Sequence, residues 1–214
     1  MTEEGFLSDK GQAFPIYIVV VAGLLFAALA FFVVGMAGAT RSDAQGAADA
    51  AALAAAREAR DNVFLGLDLL ALKPADWEKI ANGDLLDGEG ACGMATEFAA
   101  LNDATANCTV AIPEFTVAVT TNDTVGSSVI PGSGDLPGKA TAKARIEPRC
   151  ELRSAPTPAP SPTPSPASTA SPSPSPGAGS VTFVCSGKSL AVDPAKPGAV
   201  SQLARALFTV RLVD

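Results

Sequence analysis

The longest apolar segment of the chain lies close to its N-terminus. No charged side chain occurs between Lys10 and Arg41, and the stretch from Pro15 to Ala39 is almost wholly apolar. As a helix, about 25 residues rise roughly 37 Å, which is enough to cross the hydrocarbon core of a bilayer with some tilt. The pattern therefore predicts a single transmembrane helix that anchors whatever follows it.

The residues after the apolar segment also favour a helix. From Ser42 to Asn62 the chain is rich in alanine, the residue of highest helix propensity, and only Gly46 opposes helix formation. Either Ser42 or Asp43 caps a separate helix with a kink at the membrane boundary, or one rod of roughly 70 Å runs from Phe14 to Asn62. In both cases the alanines present a smooth face that suits close packing.

A patch of small residues lies near the outer end of the predicted anchor, at Gly35, Gly38 and Ala39. Gly35 and Ala39 have the small-xxx-small spacing that lets two helices approach closely in lipid, which predicts a helix-packing surface. The alternative is that small residues merely populate an alanine-rich helix.

Two shorter helices are predicted downstream. The first begins at Pro74, places Trp77 and Ile80 inward and stops at Gly83. The second runs over residues 91–103. Its apolar face consists of Met94, Phe98 and Leu101.

Alternation of apolar and polar residues with a period of two follows these helices and predicts four half-buried strands. Their apolar positions are Phe115, Val117 and Val119; Ala140, Ala142, Ala144 and Ile146; Val181, Phe183 and Cys185; and Phe208, Val210 and Leu212. Strands that follow helices, with hairpin-like connections, favour an α+β fold with an antiparallel sheet. We expect one helix to cover the apolar face of this sheet.

A tract of proline, serine and threonine interrupts the predicted domain between the second and third of these strands. It cannot bury apolar area, so we expect it to be disordered and locally polyproline-like. The predicted divisions are a short cytoplasmic tail (1–13), the transmembrane helix (14–39), an alanine-rich helical extension (40–64), an extracytoplasmic α+β domain (65–153 and 181–214) and the disordered insertion (154–180).

The four cysteines, Cys92, Cys108, Cys150 and Cys185, all follow the anchor. None lies in a C-x-x-C pair, so disulfides are favoured over a metal site, and four buried reduced thiols are the alternative. Of the three pairings, Cys92–Cys108 with Cys150–Cys185 is favoured because each bridge joins neighbouring predicted elements. Since disulfides need an oxidising compartment, we expect a single-pass protein of the cell membrane with its N-terminus in the cytoplasm and its C-terminal domain outside.

The composition argues against several classes of function. The chain contains no histidine, which removes the commonest general base and the commonest metal ligand, so an enzyme is not expected. The net charge of −7 argues against nucleic-acid binding. The sequence predicts no catalytic residue, no cofactor, no metal site and no small-molecule substrate.

Two sequence motifs flank the predicted anchor. The residues GQAFP, 11–15, precede it, and AQGAADAAALAAA, 44–56, follows it. This combination resembles the N-terminal region of the TadE/TadG-like proteins of the Flp (Tad) pilus-assembly system. The resemblance covers about residues 11–56. It implies a bitopic membrane protein with an extracytoplasmic domain that acts in assembly of a surface pilus or in related secretion.

The resemblance also directs attention to a peptide bond. Pilin-like members of such systems are cut after a glycine by a prepilin peptidase, and the corresponding bond here joins Gly11 to Gln12. Those pilins usually carry glutamate five residues after the glycine, whereas this chain has Ile16. An uncut anchor is therefore expected.

The residues and the resemblance together predict a structural or assembly component of a pilus. Its partners would be the lipid bilayer and other pilus-assembly or pilin proteins, and its mechanism would be protein–protein contact. The alternative is a membrane-tethered module that binds a cell-envelope polymer or acts as a sensor. The short tail before the anchor is too small for a signalling domain, which weakens the sensor version.

Overall fold

The structure is a computed structural model, and it describes residues 13–124, 136–155 and 179–214. Within these ranges it has four helices and seven strands. The helices are α1 (Ala13–Asp61), α2 (Pro74–Asn82), α3 (Ala91–Ala100) and α4 (Val200–Leu207). The strands are β1 (Ala104–Ala111), β2 (Glu114–Thr124), β3 (Pro137–Pro148), β4 (Cys150–Ser154), β5 (Val181–Cys185), β6 (Lys188–Val192) and β7 (Phe208–Val213).

Helix α1 continues without interruption from the apolar segment into the alanine-rich segment. Its 49 residues rise about 73 Å. Ser42 and Asp43 lie inside this helix and do not cap a new one, so the structure has the continuous rod of the two alternatives. Gly46 is tolerated in the interior because the alanines around it have the highest helix propensity.

The described residues from Thr40 onwards pack together, and we call them the folded body. The C-terminal part of α1 is its central helix. Its alanines are buried in the core: Ala44, Ala47, Ala48, Ala51, Ala52, Ala54, Ala55, Ala56 and Ala59. Because an alanine side chain ends at Cβ, the helix backbone approaches the elements packed on this face closely. The predicted helical extension, residues 40–64, therefore forms the core helix of the body as far as Asp61, where α1 ends.

A four-stranded antiparallel sheet, in the order β1-β2-β3-β7, packs against α1. The apolar positions predicted in its two central strands are buried at Phe115, Val117, Val119, Ala142, Ala144 and Ile146. In β7, Phe208 is buried, but Leu212 is exposed because β7 is an edge strand of the sheet. Helix α1 thus covers the apolar face of the sheet, as expected.

The apolar face predicted for α3 is not its buried face. The structure buries Ala91, Ala95 and Ala99, and it leaves Leu101 exposed beyond the end of the helix. Helix α3 packs against the alanine face of α1, and small side chains on both helices allow their backbones to lie close together. The larger Met94 and Phe98 are only partly buried. The helix also ends at Ala100, three residues earlier than predicted.

A second antiparallel sheet has the order β4-β5-β6, so the described residues form two sheets where one was predicted. After Pro148 the chain leaves the first sheet, and β4 pairs with β5. Helix α2 packs beside β4 and begins and ends as predicted, with Gly83 in the left-handed region at a φ of 82°. Trp77 is fully buried and packs edge-on against Phe183, with ring centroids 6.2 Å apart.

The four predicted strands correspond to β2, β3, β5 and β7. The structure adds β1, β4, β6 and α4. Strand β1 buries fully only Ala104, so its apolar alternation is weak. Helix α4 is too short for a clear helical period in the sequence, although Leu203 and Leu207 are buried on one face. Most of the predicted tail and most of the predicted insertion lie outside the described residues.

Two disulfides join neighbouring elements of the body. One connects Cys92 of α3 to Cys108 of β1, and the other connects Cys150 of β4 to Cys185 of β5. These are the two pairs that the sequence analysis favours. Cys150 and Cys185 are direct cross-strand neighbours, so their bridge closes the covalent loop that contains residues 156–178.

We expect loss of the Cys150–Cys185 bridge to destabilise the body more than loss of the Cys92–Cys108 bridge. The two bridges span 35 and 16 residues, for which the chain-entropy estimate gives roughly 4 and 3 kcal/mol. Urea unfolding of the detergent-solubilised protein compares the two Cys→Ser double variants. Equal midpoints, or midpoints in the reverse order, would contradict this expectation.

Candidate membrane anchor and its contacts

The N-terminal half of α1 has the properties of a membrane span. It contains a window with a mean hydropathy of 2.9, no part of which is buried inside the protein. Large apolar side chains such as Leu25, Phe26 and Phe31 are therefore exposed. Among the residues that the structure describes, α1 is the one helix long and apolar enough to cross a membrane. Lipid is an environment in which such a surface is favourable, because the helix satisfies its own backbone hydrogen bonds.

The folded body begins directly where the apolar segment ends. A Cβ placed on Gly138, the second residue of β3, would lie 2.6 Å from the backbone oxygen of Thr40 and 3.1 Å from the Cβ of Ala44. Only glycine permits so close an approach. The Gly138 N–H also donates a hydrogen bond to Thr121 Oγ1 at 2.8 Å. Because Thr40 directly follows Ala39, no linker separates the anchor from the body.

The small-residue patch of the anchor is open to its surroundings. A Cβ placed on Gly35 or Gly38 would meet nothing within 4 Å, and Ala39 is exposed. The body therefore does not cover these residues, and the surface remains accessible to another helix in the membrane. That they pack against a partner helix stays a prediction.

The far end of α1 is tied to α4 by an ion pair. The Arg205 guanidinium donates to Asp61 Oδ2 through Nη2 at 2.8 Å and through Nε at 3.2 Å. Burial by itself would raise the pKa of the Asp61 carboxyl, but hydrogen bonds and charge from Arg205 and Arg60 outweigh burial and lower this pKa. The pair therefore favours the ionised carboxylate at the last residue of the core helix.

Two further ion pairs lie on the sheet. Arg145 donates to Glu114, its direct cross-strand partner, and Arg211 Nε donates to Glu147 Oε2 at 2.7 Å. The hydrogen bond from Arg145 lowers the pKa of the Glu114 carboxyl, and the one from Arg211 lowers the pKa of the Glu147 carboxyl. Both pairs are solvent-accessible, so we assign them a role in strand register and only a small contribution to stability.

The described residues contain no candidate metal site. Within residues 13–124, 136–155 and 179–214, no group of three or more Cys, Asp or Glu side chains is arranged to hold a metal ion. The cysteines are bridged and therefore supply no thiolate ligand or nucleophile. The structure does offer surfaces for contact. These are the exposed apolar part of α1, the open patch of small residues and the folded body that begins at Thr40.

Three features of this region lie outside the described residues or were not predicted from the sequence. Gly11 and Gln12, the candidate cleavage site, lie outside the described residues. The contact of Gly138 with Thr40 was not predicted, although a glycine at the start of an otherwise regular strand is a signal of close backbone approach. The pair between Asp61 and Arg205 was also missed, because the two residues lie far apart in the sequence.

The comparison with known families shows what the N-terminal region is similar to. Residues 11–58 match the family described as putative Flp pilus-assembly TadE/G-like. This segment is therefore similar to the TadE/G-like family. The match confirms the resemblance carried by the two motifs that flank the anchor, and it covers less than a quarter of the chain. No curated protein and no solved structure matches the chain.

The structure shows what the TadE/G-like segment contributes physically. It contains both the exposed apolar part of α1 and nearly all of the buried alanine face. One segment therefore provides a candidate membrane anchor and the core helix on which the remaining residues fold. The rest of the body, from α2 onwards, lies beyond the matched residues.

We expect Gly138→Ala to destabilise the body by about 1–3 kcal/mol, since the added methyl group would overlap the Thr40 carbonyl oxygen. Gly46→Ala is the matched control. A Cβ on Gly46 meets nothing within 4 Å, and helix propensity predicts a gain of about 0.5–1 kcal/mol. Thermal and urea unfolding of both variants measure the effects. A Gly138→Ala protein as stable as the wild type would refute the close contact.

We expect acid to weaken the link between α1 and α4. The folded pKa of Asp61 lies below its ordinary value of 3.8, so the pair stabilises the fold above that pH. This contribution is lost as the pH falls through the folded pKa. A double-mutant cycle with Asp61→Asn and Arg205→Gln should give a favourable coupling at neutral pH that is lost in acid, below the folded pKa of Asp61. A coupling that is absent at neutral pH, or unchanged in acid, would contradict the assignment.

Proposed function

We propose that this protein is a membrane-anchored structural or assembly component of a Tad/Flp-type surface pilus or a related secretion apparatus. The single observation that carries the proposal is the match of residues 11–58 to the TadE/G-like family. The exposed apolar surface of α1 supports it, because a pilus-assembly component of this type needs a place in the membrane.

In this proposal the anchor crosses the cell membrane once, with the N-terminus in the cytoplasm and the folded body outside. The two disulfides support this orientation, because such bridges persist in oxidising compartments and are rare in the cytoplasm. A soluble body that is tied to the exit of the anchor would then project from the outer surface of the membrane.

The mechanism that we propose is contact between proteins and not catalysis. Within the membrane, Gly35, Gly38 and Ala39 would pack against a partner helix, because their small side chains allow close backbone approach. Outside the membrane, the body would contact other pilus-assembly or pilin proteins. The absence of histidine from the chain supports a role without general acid–base chemistry, and the net charge of −7 argues against a nucleic-acid partner. We assign no small-molecule substrate.

We also propose that the bond between Gly11 and Gln12 remains uncut. The support is Ile16, which stands where the pilin-like members of such systems usually carry glutamate. Intact mass of the purified protein tests this point directly. A mass that lacks residues 1–11 would show cleavage and favour incorporation as a processed subunit.

We expect deletion of the gene to abolish or alter piliation, as seen by electron microscopy, and complementation with the wild-type chain to restore it. Complementation with Gly38→Leu should fail, because leucine would block close approach of a partner helix. Gly23→Leu is the matched control: Gly23 lies in the same anchor, and a Cβ there also meets nothing within 4 Å. Membrane levels of both variants are measured by immunoblot.

The outcomes separate the proposal from its alternative. Normal pili in the deletion strain would refute the assembly role. Capture of cell-wall polymer, instead of pilus-assembly proteins, from a detergent extract would favour the binding module. Equal rescue by Gly38→Leu and Gly23→Leu would refute the packing surface while leaving the assembly role in place.

A further inference from the structure

Two exposed leucines of the body lie close to Thr40, where the apolar segment of α1 ends. Leu101 is 72% exposed and lines the same shallow depression as Thr40, Ser42 and Asp43. Leu136 is 57% exposed and directly precedes β3, whose second residue contacts Thr40. Both leucines therefore lie beside the first residues of α1 that follow the apolar segment.

The absence of a linker limits how far these leucines can be from lipid. Interfacial layers add about 5–7 Å to each side of a hydrocarbon core of about 30 Å. The contact between Gly138 and Thr40 sets the start of β3 one residue beyond Ala39, at the level where the apolar surface of the anchor ends. We therefore expect Leu136 to lie at the height of the headgroup layer and Leu101 slightly further along the helix.

The length of the anchor predicts that α1 is tilted in the membrane. The apolar stretch rises roughly 37 Å as a helix, which exceeds the core thickness, and helices relieve such a mismatch by tilting. A tilt must have a direction, and apolar side chains at the interface help to set it. The body packs on the alanine face of α1 and leaves the opposite face exposed at Gly46 and Arg57, so a tilt of α1 towards the body would bring Leu101 and Leu136 closer to the lipid.

We propose that the lower end of the body is a lipid-contacting surface in which Leu101 and Leu136 enter the interfacial layer and set the direction of anchor tilt. This inference rests on the proposed membrane-spanning role of α1. The occupant of the surface is lipid because the surface is continuous with the lipid-exposed anchor and shares its boundary at Thr40. The surface thus holds the body in a fixed orientation on the membrane.

The charged residues near Thr40 indicate which kind of lipid contact is favoured there. The depression that contains Leu101 includes the carboxylates Asp43, Asp103 and Asp123. This acidic lining is not suited to bind anionic headgroups, so contact should depend on apolar burial and should occur on neutral lipid. Binding that needs anionic lipid would argue for a different surface.

Brominated-lipid quenching of tryptophan fluorescence tests the inference on the full-length protein in phosphatidylcholine vesicles. Leu101→Trp and Leu136→Trp report on the surface. Leu70→Trp is the matched control, because Leu70 is 71% exposed but lies in the segment that follows the far end of α1. Phe31→Trp, in the anchor and 80% exposed, reports on membrane insertion. The emission of the buried native Trp77, measured in the wild type, is subtracted.

We expect lipids brominated along their acyl chains to quench about half of the added emission in Leu101→Trp and Leu136→Trp, since interfacial groups reach about 5–10 Å into the acyl boundary. Phe31→Trp should be quenched at least as strongly, and Leu70→Trp should be unaffected. If only Phe31→Trp is quenched, the lipid-contacting surface is refuted and the anchor stands. If Phe31→Trp is not quenched, the membrane-spanning role itself fails. Blue-shifted but unquenched emission at the two leucines would assign the surface to a protein partner or a second copy.

Discussion

The rest of the structure depends on one constraint: α1 is a single uninterrupted helix whose first half suits lipid and whose second half lies in a protein core. In the first half of α1 the backbone hydrogen-bond ladder satisfies every backbone group internally, which is the condition for a helix in lipid. In the second half the same ladder lies inside a protein core. Since the helix does not break between them, the packing of the body on residues 40–59 also fixes where the body stands relative to the anchor.

The alanine face of α1 sets the character of the body. Alanines bury little apolar area per residue, so the core gains less from the hydrophobic effect than a leucine-rich core of the same size. A few large side chains supply much of what is buried, namely Trp77, Ile80, Phe115, Ile146, Phe183, Leu207 and Phe208. The two disulfides add stability by restricting the unfolded chain. The disulfides thus offset the small apolar area that an alanine-rich core buries.

Much of this architecture could be predicted because it depends on local chemistry. The apolar run predicts the anchor, Pro74 and Gly83 mark the limits of α2, and period-two alternation finds β2, β3, β5 and β7. The buried face of α3 could not be predicted from hydrophobicity, because close packing against α1 selects alanines over Met94 and Phe98. The contact at Gly138 and the pair of Asp61 with Arg205 depend on tertiary approach between residues far apart in sequence. The family segment was visible in the motifs at 11–15 and 44–56 because they are local.

The central claim is that anchor and body share one rigid helix across the membrane boundary. Amide hydrogen exchange of the full-length protein in lipid nanodiscs tests it most directly, through peptides that cover residues 36–48. A continuous helix predicts slow exchange throughout this range, equal to that of the buried residues 51–56. Fast exchange confined to residues 40–43, beside slow exchange on both sides, would show a hinge at the exit and contradict the account.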